Sequence, residues 1–370
     1  MTYAYKIPPV TITIPVGGDI TSGLAPKFKP ATCTWSGNIF STASATIDGY
    51  EFSYVTPKKY IDGHNYGGIW VITCKGQNYV YMLDGLSEGH LQNRTFRLVD
   101  LTTQWDVLWT QDRITAATLV AAGKGATVGG LINYIAAKAA EISLVALDRQ
   151  LIDTTLLDDV MDGATTLERT TYMVANSTRL AELNRLLLWF GYTCYAEPAT
   201  GKISLIAPIT TLPFKKIPTV NSLMASLEDA QFNIEYGSIH SDVVVASNET
   251  NKGAVVGKAV QTESSRQHID MTNFNITKRY NPLFATTYKV ADSQLLTLAK
   301  KMLRTDRIGA QSLKIVAREV LPVGLWYAFD WADKNGNIGH WVVTGYEISV
   351  SGDSATTTVD CILGPAMNME

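Results

Sequence analysis

The sequence has few cysteines, little charge and no long apolar run. Its four cysteines, Cys33, Cys74, Cys194 and Cys361, form no CxxC motif and no close pair, which argues against a zinc knuckle or a dithiol redox motif and predicts buried free thiols. Charged residues make up 18% of the chain and the net charge is −3, whereas an average soluble domain has roughly 25% charged residues. This balance excludes a global basic field that would recruit nucleic acid. The low charge also indicates a surface partly covered by partners.

Segments that direct a protein into or across a membrane are also missing from the sequence. Met1 is followed within a few residues by Pro8 and Pro9, without the charged and apolar regions of a signal peptide. The most apolar helical stretch, 131–147, is interrupted by Lys138 and Glu141, whereas a bilayer span needs about 20 apolar residues. We therefore expect synthesis in a cytoplasm and no membrane-spanning segment.

The length of the chain predicts more than one domain, and the pattern of turns predicts that the N-terminal domain is a β domain. At 370 residues the chain exceeds the roughly 100–200 residues of one domain. In residues 1–120, short β-rich runs such as 11–14 and 69–74 end at turn residues, and Lys75-Gly76-Gln77 joins the second run to 77–83 as a hairpin. This N-terminal part is predicted to be a sandwich or barrel.

Two helices and a hairpin then interrupt the β pattern. Apolar residues three and four apart predict a helix over 127–142, with Thr127 as its N-cap, and a second helix over 178–190, which Gly191 ends. Strand-like runs at 192–197 and 202–206 follow, separated by a turn that contains proline and glycine. A helix followed by a hairpin is the predicted unit of this middle part.

A second β region fills the C-terminal part of the sequence. A proline-containing connector over 207–240 leads into a strand at 232–236, and an apolar run follows at 242–246. Residues 261–276 are predicted to form a loop and 293–306 an amphipathic helix. The last strand candidates are 312–318, 324–331, 340–350 and 356–363, separated by turn-forming residues. They predict an antiparallel meander that closes into a small barrel.

The predicted fold class is β-rich α+β, with two barrel-like β domains and a helix-containing α+β domain between them. The N-terminal β domain covers 1–120, and strands from 207–235 are available to complete it. The helix-hairpin domain covers 121–206. The C-terminal β-barrel domain covers 207–370 and includes the helix at 293–306.

Patterns typical of common catalytic and metal sites do not occur in the sequence. The five histidines are far apart and form neither HExxH nor an i, i+4 pair. Gly123-Lys124-Gly125 lacks the Ser or Thr that follows the lysine of a phosphate-binding loop, so a turn before Thr127 is the better interpretation. A GxSxG nucleophile motif is also absent. We therefore predict that the chain is not an enzyme and has no catalytic, cofactor-binding or metal-site residues.

Three groups of side chains leave alternatives open. The carboxylates that could form a glycosidase pair are Asp62, Glu88 and Asp158-Asp159. A basic helix face that is either solvated or in contact with DNA comprises Lys300, Arg304 and Arg307. Aromatic residues that indicate either core and subunit packing or a sugar-binding patch include Trp326, Trp331 and Trp341. For the first two groups, ordinary turn residues and a solvated helix face are the preferred interpretations.

Three segments carry a resemblance to a known family. They are the helix-glycine-hairpin unit 179–205, the strand entry 241–247 and the C-terminal meander, in which Leu321-Pro322-Val323-Gly324 precedes a strand and 345–350 precedes a Thr-rich last strand. Their order and spacing, over residues 125–363, resemble those of the hub proteins of phage tail baseplates and tail tips. The hub part of type VI secretion spikes is similar.

The resemblance implies a structural protein of the virion tail, made in the host cytoplasm. It implies a homotrimer whose two barrel-like domains per copy form a ring of six around a channel and join a six-fold tail tube to a three-fold spike or tip. Implied partners are other copies of the chain, a tail tube or distal tail protein, a spike or tip protein and the tape measure protein, with DNA only in transit. The alternatives are a glycan-binding or glycan-cleaving tail or surface protein and a six-copy distal tail ring protein.

Overall fold

The structure is a computed structural model that describes part of the chain. The described residues are 9–16, 19–24, 30–39, 41–49, 69–88, 94–106, 116–123, 130–131, 134–135, 166–167, 178–189, 193–196, 203–206, 215–216, 227–234, 242–246, 256–260, 277–280, 288–289, 311–332 and 338–363.

Most of the described residues lie in strands, which confirms the prediction of a β-rich fold. The strands are β1 Thr11–Val16, β2 Asp19–Leu24, β3 Pro30–Asn38, β4 Ser44–Gly49, β5 Ile69–Cys74, β6 Gln77–Glu88, β7 Arg94–Val99, β8 Thr166–Leu167, β9 Thr193–Ala196, β10 Ile203–Ile206, β11 Lys215–Lys216, β12 Leu227–Ile234, β13 Asp242–Ala246, β14 Val256–Val260, β15 Thr277–Tyr280, β16 Tyr288–Lys289, β17 Gln311–Ala317, β18 Tyr327–Ala332, β19 Ile338–Ser351 and β20 Ser354–Leu363. The helices in this part of the chain are α1 Ala116–Ala121, α2 Arg179–Trp189 and the 3-10 helix Leu101–Trp105.

One large sheet joins strands from both ends of the chain. Its order is β12-β17-β20-β19-β3-β4-β7-β6-β5-β1-β2, with β18 beside β19 and β11 beside β18. The two groups of strands meet where β3 pairs with β19 in antiparallel fashion. One hydrophobic core cluster contains buried residues of both groups, including Trp35, Tyr79, Leu313 and Tyr346. The two-barrel arrangement and the division into 1–120, 121–206 and 207–370 stay predictions.

Two tight turns confirm hairpins that the sequence predicts. Strands β5 and β6 pair from Ile69 opposite Met82 to Cys74 opposite Gln77. The turn residues Lys75 and Gly76 have φ values of 49° and 74°, the left-handed conformation that a two-residue hairpin turn needs. Strands β19 and β20 are likewise joined through a turn in which Gly352 has φ 52°.

The C-terminal strands agree in extent with the predicted ones except at the start of β18. Their order departs from the predicted meander, because β17 pairs with β20 whereas β18 pairs with β19 and β11. Trp326, placed in β18 by the sequence pattern, has φ 63°, and its backbone N–H donates to the carbonyl of Val343 across 2.9 Å. A left-handed residue cannot continue a pleated strand. Strand β18 therefore begins at Tyr327, three residues later than Gly324.

Helix α2 confirms the helix predicted over 178–190. The hydroxyl of Thr178 accepts from the N–H of Ala181 across 3.1 Å, an N-cap hydrogen bond that supplies a partner for one of the first backbone donors. Of the helix predicted over 127–142, residues 130–131 and 134–135 are described and helical, and Leu131 and Ile135 are buried. Helix α1 was not predicted.

Other predictions fall outside the described residues or differ in their extent. Gly191, the loop 261–276 and the helix 293–306 lie outside the described residues. Strand β12 begins at Leu227, earlier than the predicted 232, and strand β14 was not predicted. Both β11 and β12 pair with C-terminal strands, namely β18 and β17. Among the described helices, none combines the length and apolar character that crossing a bilayer requires.

Candidate functional site

The junction between β3 and β19 brings residues from opposite ends of the chain together, and we call it the seam. It comprises residues 32–38 of β3 and 345–351 of β19, in register from Thr32 opposite Ser351 to Asn38 opposite Gly345. One more hydrogen bond extends it, from the N–H of Ile39 to the carbonyl of Thr344 across 3.0 Å. The seam makes the two groups of strands one continuous surface.

The inward face of the seam is closely packed around a glycine. Trp35 and Ile348 face each other in register and are fully buried. Gly37 lies opposite Tyr346, and a Cβ added to Gly37 would lie 2.5 Å from the ring of Tyr346. A strand glycine without a side chain lets the neighbouring ring approach the backbone this closely. Position 37 therefore requires glycine for packing.

Two tyrosines of β6 support the seam from the core. The ring of Tyr79 lies 5.5 Å from that of Trp35 and 5.8 Å from that of Tyr346, measured between ring centroids. The hydroxyl of Tyr81 donates to the carbonyl of Ser36 across 2.5 Å. Burial raises the pKa of Tyr79, Tyr81 and Tyr346 above the ordinary tyrosine value, so these phenols remain neutral at physiological pH.

The outward face of the seam presents short hydroxyl side chains. The hydroxyls of Thr34 and Ser349 lie 3.0 Å apart, and Thr32 donates to Ser351 across 3.3 Å. The neighbouring strands continue this face with Ser44, Thr46, Thr356 and Thr358, which are half-buried or exposed.

Acidic residues carry the charge on this part of the sheet. They are Asp48, Glu347 and Asp360. Neither Lys nor Arg occurs in the sequences of β3, β4, β19 and β20. Phosphate groups are retained by contacts with Lys and Arg. These four strands therefore carry no cationic side chain, and the cations in register with this face lie on the flanking strands, with Lys314 of β17 opposite Asp360 and Arg97 of β7 opposite Thr46.

The β5–β6 hairpin forms a second connection between the two groups of strands, which we call the latch. At its tip, Lys75 Nζ donates to the carbonyl of Val320 across 2.6 Å and lies 3.5 Å from Glu319 Oε2. Gln77 Nε2 donates to the carbonyl of Pro322 across 3.2 Å, and the Tyr79 hydroxyl donates to that of Val323 across 3.3 Å. Three side chains of one strand pair thus satisfy carbonyls of the segment that leads into β18.

The aromatic residues singled out in the sequence lie within the fold. Trp326 and Trp341 belong to the hydrophobic core and are 8% and 4% exposed, and Trp331 packs against that core in a partly buried position. The ring of Phe232, from β12, makes an edge contact with Trp341 at 5.7 Å. This arrangement agrees with the core interpretation and leaves Trp326 and Trp341 no open face on which a sugar ring could stack.

The structure brings together none of the other candidate side chains in its described part. Asp62, Asp158-Asp159 and the basic face Lys300, Arg304 and Arg307 lie outside the described residues. Glu88 ends β6 opposite Arg94, and Gly123 follows α1 in a turn with φ 68°. His340 Nδ1 lies 2.5 Å from Asp330 Oδ1 across β18 and β19.

Three of the four cysteines have a described burial, and these three are buried as predicted. Cys33, Cys74 and Cys361 are free and buried, and burial raises the pKa of each. Within the described residues, no three His, Cys, Asp or Glu side chains are grouped as metal ligands would be.

Sequence reasoning missed the seam and its central glycine. The signal was present, because residues 32–37 read Thr-Cys-Thr-Trp-Ser-Gly and alternate hydroxyl side chains with core residues. Such alternation is typical of a strand with one buried and one polar face. The partner strand, more than 300 positions away, could not be found from alternation.

Comparison with solved structures shows that the fold is similar to those of tail proteins. No protein-family model and no curated protein sequence matches the chain. Among solved structures, the tail protein from Neisseria meningitidis MC58 is similar with a TM-score of 0.61 and 12% identity, covering 96% of each chain. The 43 kDa tail protein of prophage MuSo2 from Shewanella oneidensis has a TM-score of 0.56 and 10% identity, with 95% of this chain and 97% of that one covered.

A third similarity is to a chain of a two-protein complex. A chain of the PdpA-VgrG complex from Francisella is similar with a TM-score of 0.50 and 8% identity. The similarity covers 96% of this chain and 57% of that one. At these identities the similarities concern the fold. For the fold, they confirm the resemblance to phage tail proteins.

Proposed function

We propose that this chain is a structural, non-enzymatic hub of a phage tail, and that three copies form a closed ring. The observation that carries the proposal is the similarity of fold to two tail proteins, one of them from a prophage, over at least 95% of every chain compared. The ring would join a six-fold tail tube or distal tail protein to a three-fold spike or tip protein. Its place would be the virion tail, with the tape measure protein as a further partner.

The seam supports the ring because it places strands from both ends of one chain side by side in one sheet. If each group of strands occupies one sector of the ring, three copies supply six sectors. Head-to-tail contacts that close on themselves leave no free interface, whereas open ones grow into filaments. A closed trimer could therefore present six sectors to a six-fold tube and three identical copies to a three-fold spike, with a single kind of chain.

The outward face of the seam supports a channel lining. Hydroxyl and carboxylate side chains without Lys or Arg on the four central strands would let DNA pass, because each phosphate contact with a cation adds salt-dependent retention. In this proposal DNA is a passing cargo and the chain binds none of it. The buried Trp326 and Trp341 weigh against the glycan-binding alternative.

Copy number in the assembled particle tests the proposal directly. We expect cryo-electron microscopy of tails to show three copies in one ring between the tube and the spike or tip. Six copies, each occupying one sixty-degree sector, would instead assign the chain to a distal tail ring. In a parallel assay the purified protein should release no peptidoglycan fragments above background. Lysis that disappears when one acidic residue is replaced would identify an enzyme and contradict the proposal.

A further inference from the structure

Strand β12 is an edge strand that is unusually open. Among the described strands it pairs with β17 alone. Of the residues 227–233, whose burial is described, five are exposed, and Phe232 is 52% exposed. Native proteins shield long edge strands because their free backbone groups pair readily with another strand. An exposed aromatic ring beside such an edge is apolar surface that a strand pairing there would bury.

The opposite end of the same sheet is also an edge. Strand β2 pairs with β1 alone among the described strands. The path from β12 to β2 contains eleven strands joined by ten pairs, all antiparallel. Each antiparallel step reverses the strand direction, so an even number of steps restores it. Strands β12 and β2 therefore run in the same direction.

We propose that β12 of one copy pairs in parallel with β2 of the next copy, so that the sheet continues from copy to copy. This proposal rests on the ring described above and names its interface. A head-to-tail contact places opposite ends of equivalent sheets against each other. Because both end strands run the same way, the strand pair between copies must be parallel. The contact differs in kind from the antiparallel seam within each copy.

A head-to-tail contact between β12 and β2 covers the open edges better than a two-fold contact between the β12 strands of two copies. A two-fold axis perpendicular to the sheet would pair the two β12 strands in antiparallel orientation and would leave both β2 edges open. The head-to-tail contact covers both edges at once, and it repeats until the ring closes. The need to cover both open sheet edges therefore favours the head-to-tail contact.

Phe232 is placed to anchor this contact. Its ring stands edge-on to Trp341 with an interplanar angle of 77°, and Trp341 is itself in the core. Covering the exposed half of Phe232 would extend the core into the neighbouring copy. Glu228, at the other end of β12, is held by Arg318 Nη2 of its own chain at 2.6 Å, which offsets its charge beside the incoming strand.

Cysteine pairs cross-linked with a short bis-maleimide test the strand direction. In a parallel contact, Glu228→Cys should cross-link to Asp19→Cys of the next copy, and Asn233→Cys should cross-link to Leu24→Cys. The crossed combinations, Glu228→Cys with Leu24→Cys and Asn233→Cys with Asp19→Cys, are the matched controls. Dimer and trimer bands from the first two pairs alone would support the proposal. Bands from the crossed pairs, or from a single β12 cysteine alone, would overturn it.

Replacing the anchor tests the interface separately from the ring. We expect Phe232→Lys to weaken trimer formation at least tenfold by native mass measurement, with only a small fall in the melting temperature of the isolated chain, because half of Phe232 is already exposed. Val120→Lys is the matched control, because Val120 is another exposed apolar residue, in α1 and 62% exposed. A stable trimer in Phe232→Lys would refute this interface while leaving the trimeric hub intact. A wild-type ring with another copy number would refute the hub itself.

Discussion

Replacement of Asp100 by Asn is expected to destabilise the fold through one buried hydrogen-bonding group. The Asp100 carboxylate is 5% exposed. Its Oδ2 accepts from the N–H of Ala43 across 2.5 Å, and its Oδ1 accepts from the N–H of Thr102 across 2.9 Å and from the Thr102 hydroxyl. Every one of these partners donates, so a carboxylate fits the site and an amide does not.

The size of the destabilisation follows from the number of hydrogen-bond donors that the carboxylate accepts from. In Asp100→Asn one oxygen becomes an NH2 group, which faces a donor either at Ala43 or at Thr102. A buried donor left without an acceptor costs about 1–3 kcal/mol, and we expect the free energy of unfolding to fall by that amount. Urea unfolding at neutral pH measures it. Asp106→Asn is the control, because Asp106 ends the same 3-10 helix and is exposed. Equal urea midpoints for wild type and Asp100→Asn would refute the reasoning.

The pH dependence of the same variant has a definite sign. Burial raises the pKa of Asp100 in the folded state, and its hydrogen bonds offset only part of that rise. The folded state therefore takes up this proton at a higher pH than the unfolded state does. The carboxyl's contribution to stability grows as the pH falls through its folded pKa. Because Asn does not titrate, the difference in free energy of unfolding between wild type and Asp100→Asn should widen at mildly acidic pH.

Three further predictions concern the seam, the latch and the thiols. Gly37→Ala should lower the free energy of unfolding by about 1–3 kcal/mol through overpacking against Tyr346, and a smaller residue at 346 should restore part of that loss in a double-mutant cycle by urea unfolding. Lys75→Met should cost about 1 kcal/mol, mainly through the lost hydrogen bond to Val320, and an unchanged midpoint would mean that the latch contributes nothing. In the native protein a maleimide should not label the buried thiols, whereas unfolding in urea should expose them; rapid native labelling would contradict their burial. They are Cys33, Cys74 and Cys361.

Local signals in the sequence predicted local structure well. Helix α2 and the β5–β6 hairpin were found because apolar spacing, capping residues and turn glycines act over a few positions. The start of β18 was misplaced because Trp326 has a β-forming side chain but a left-handed backbone, held by a hydrogen bond to Val343. Tertiary contacts overrode propensity there.

Long-range pairing could not be read from the sequence. Strand β12 shows no regular alternation, and its exposure on both faces follows from its position at a sheet edge. The seam likewise depends on which two strands become neighbours. Alternation specifies the buried face of a strand but not its partner. Alternation therefore indicated the outward hydroxyl residues within single strands, but it could not show that they form one continuous face across the seam.

The seam also constrains the order of events during synthesis. Thr32 and Ser351, which bond across it, are 319 positions apart in the chain. At typical translation rates of 5–20 residues per second, β3 waits roughly 16 to 64 s for β19 to be made. During that interval the β19-facing edge of β3 and the core side of Trp35 lack their final partners. Completion of the sheet is thus among the last steps of folding, and crowded polysomes that synthesise this chain expose many identical open edges at once, a condition that favours strand exchange between nascent copies.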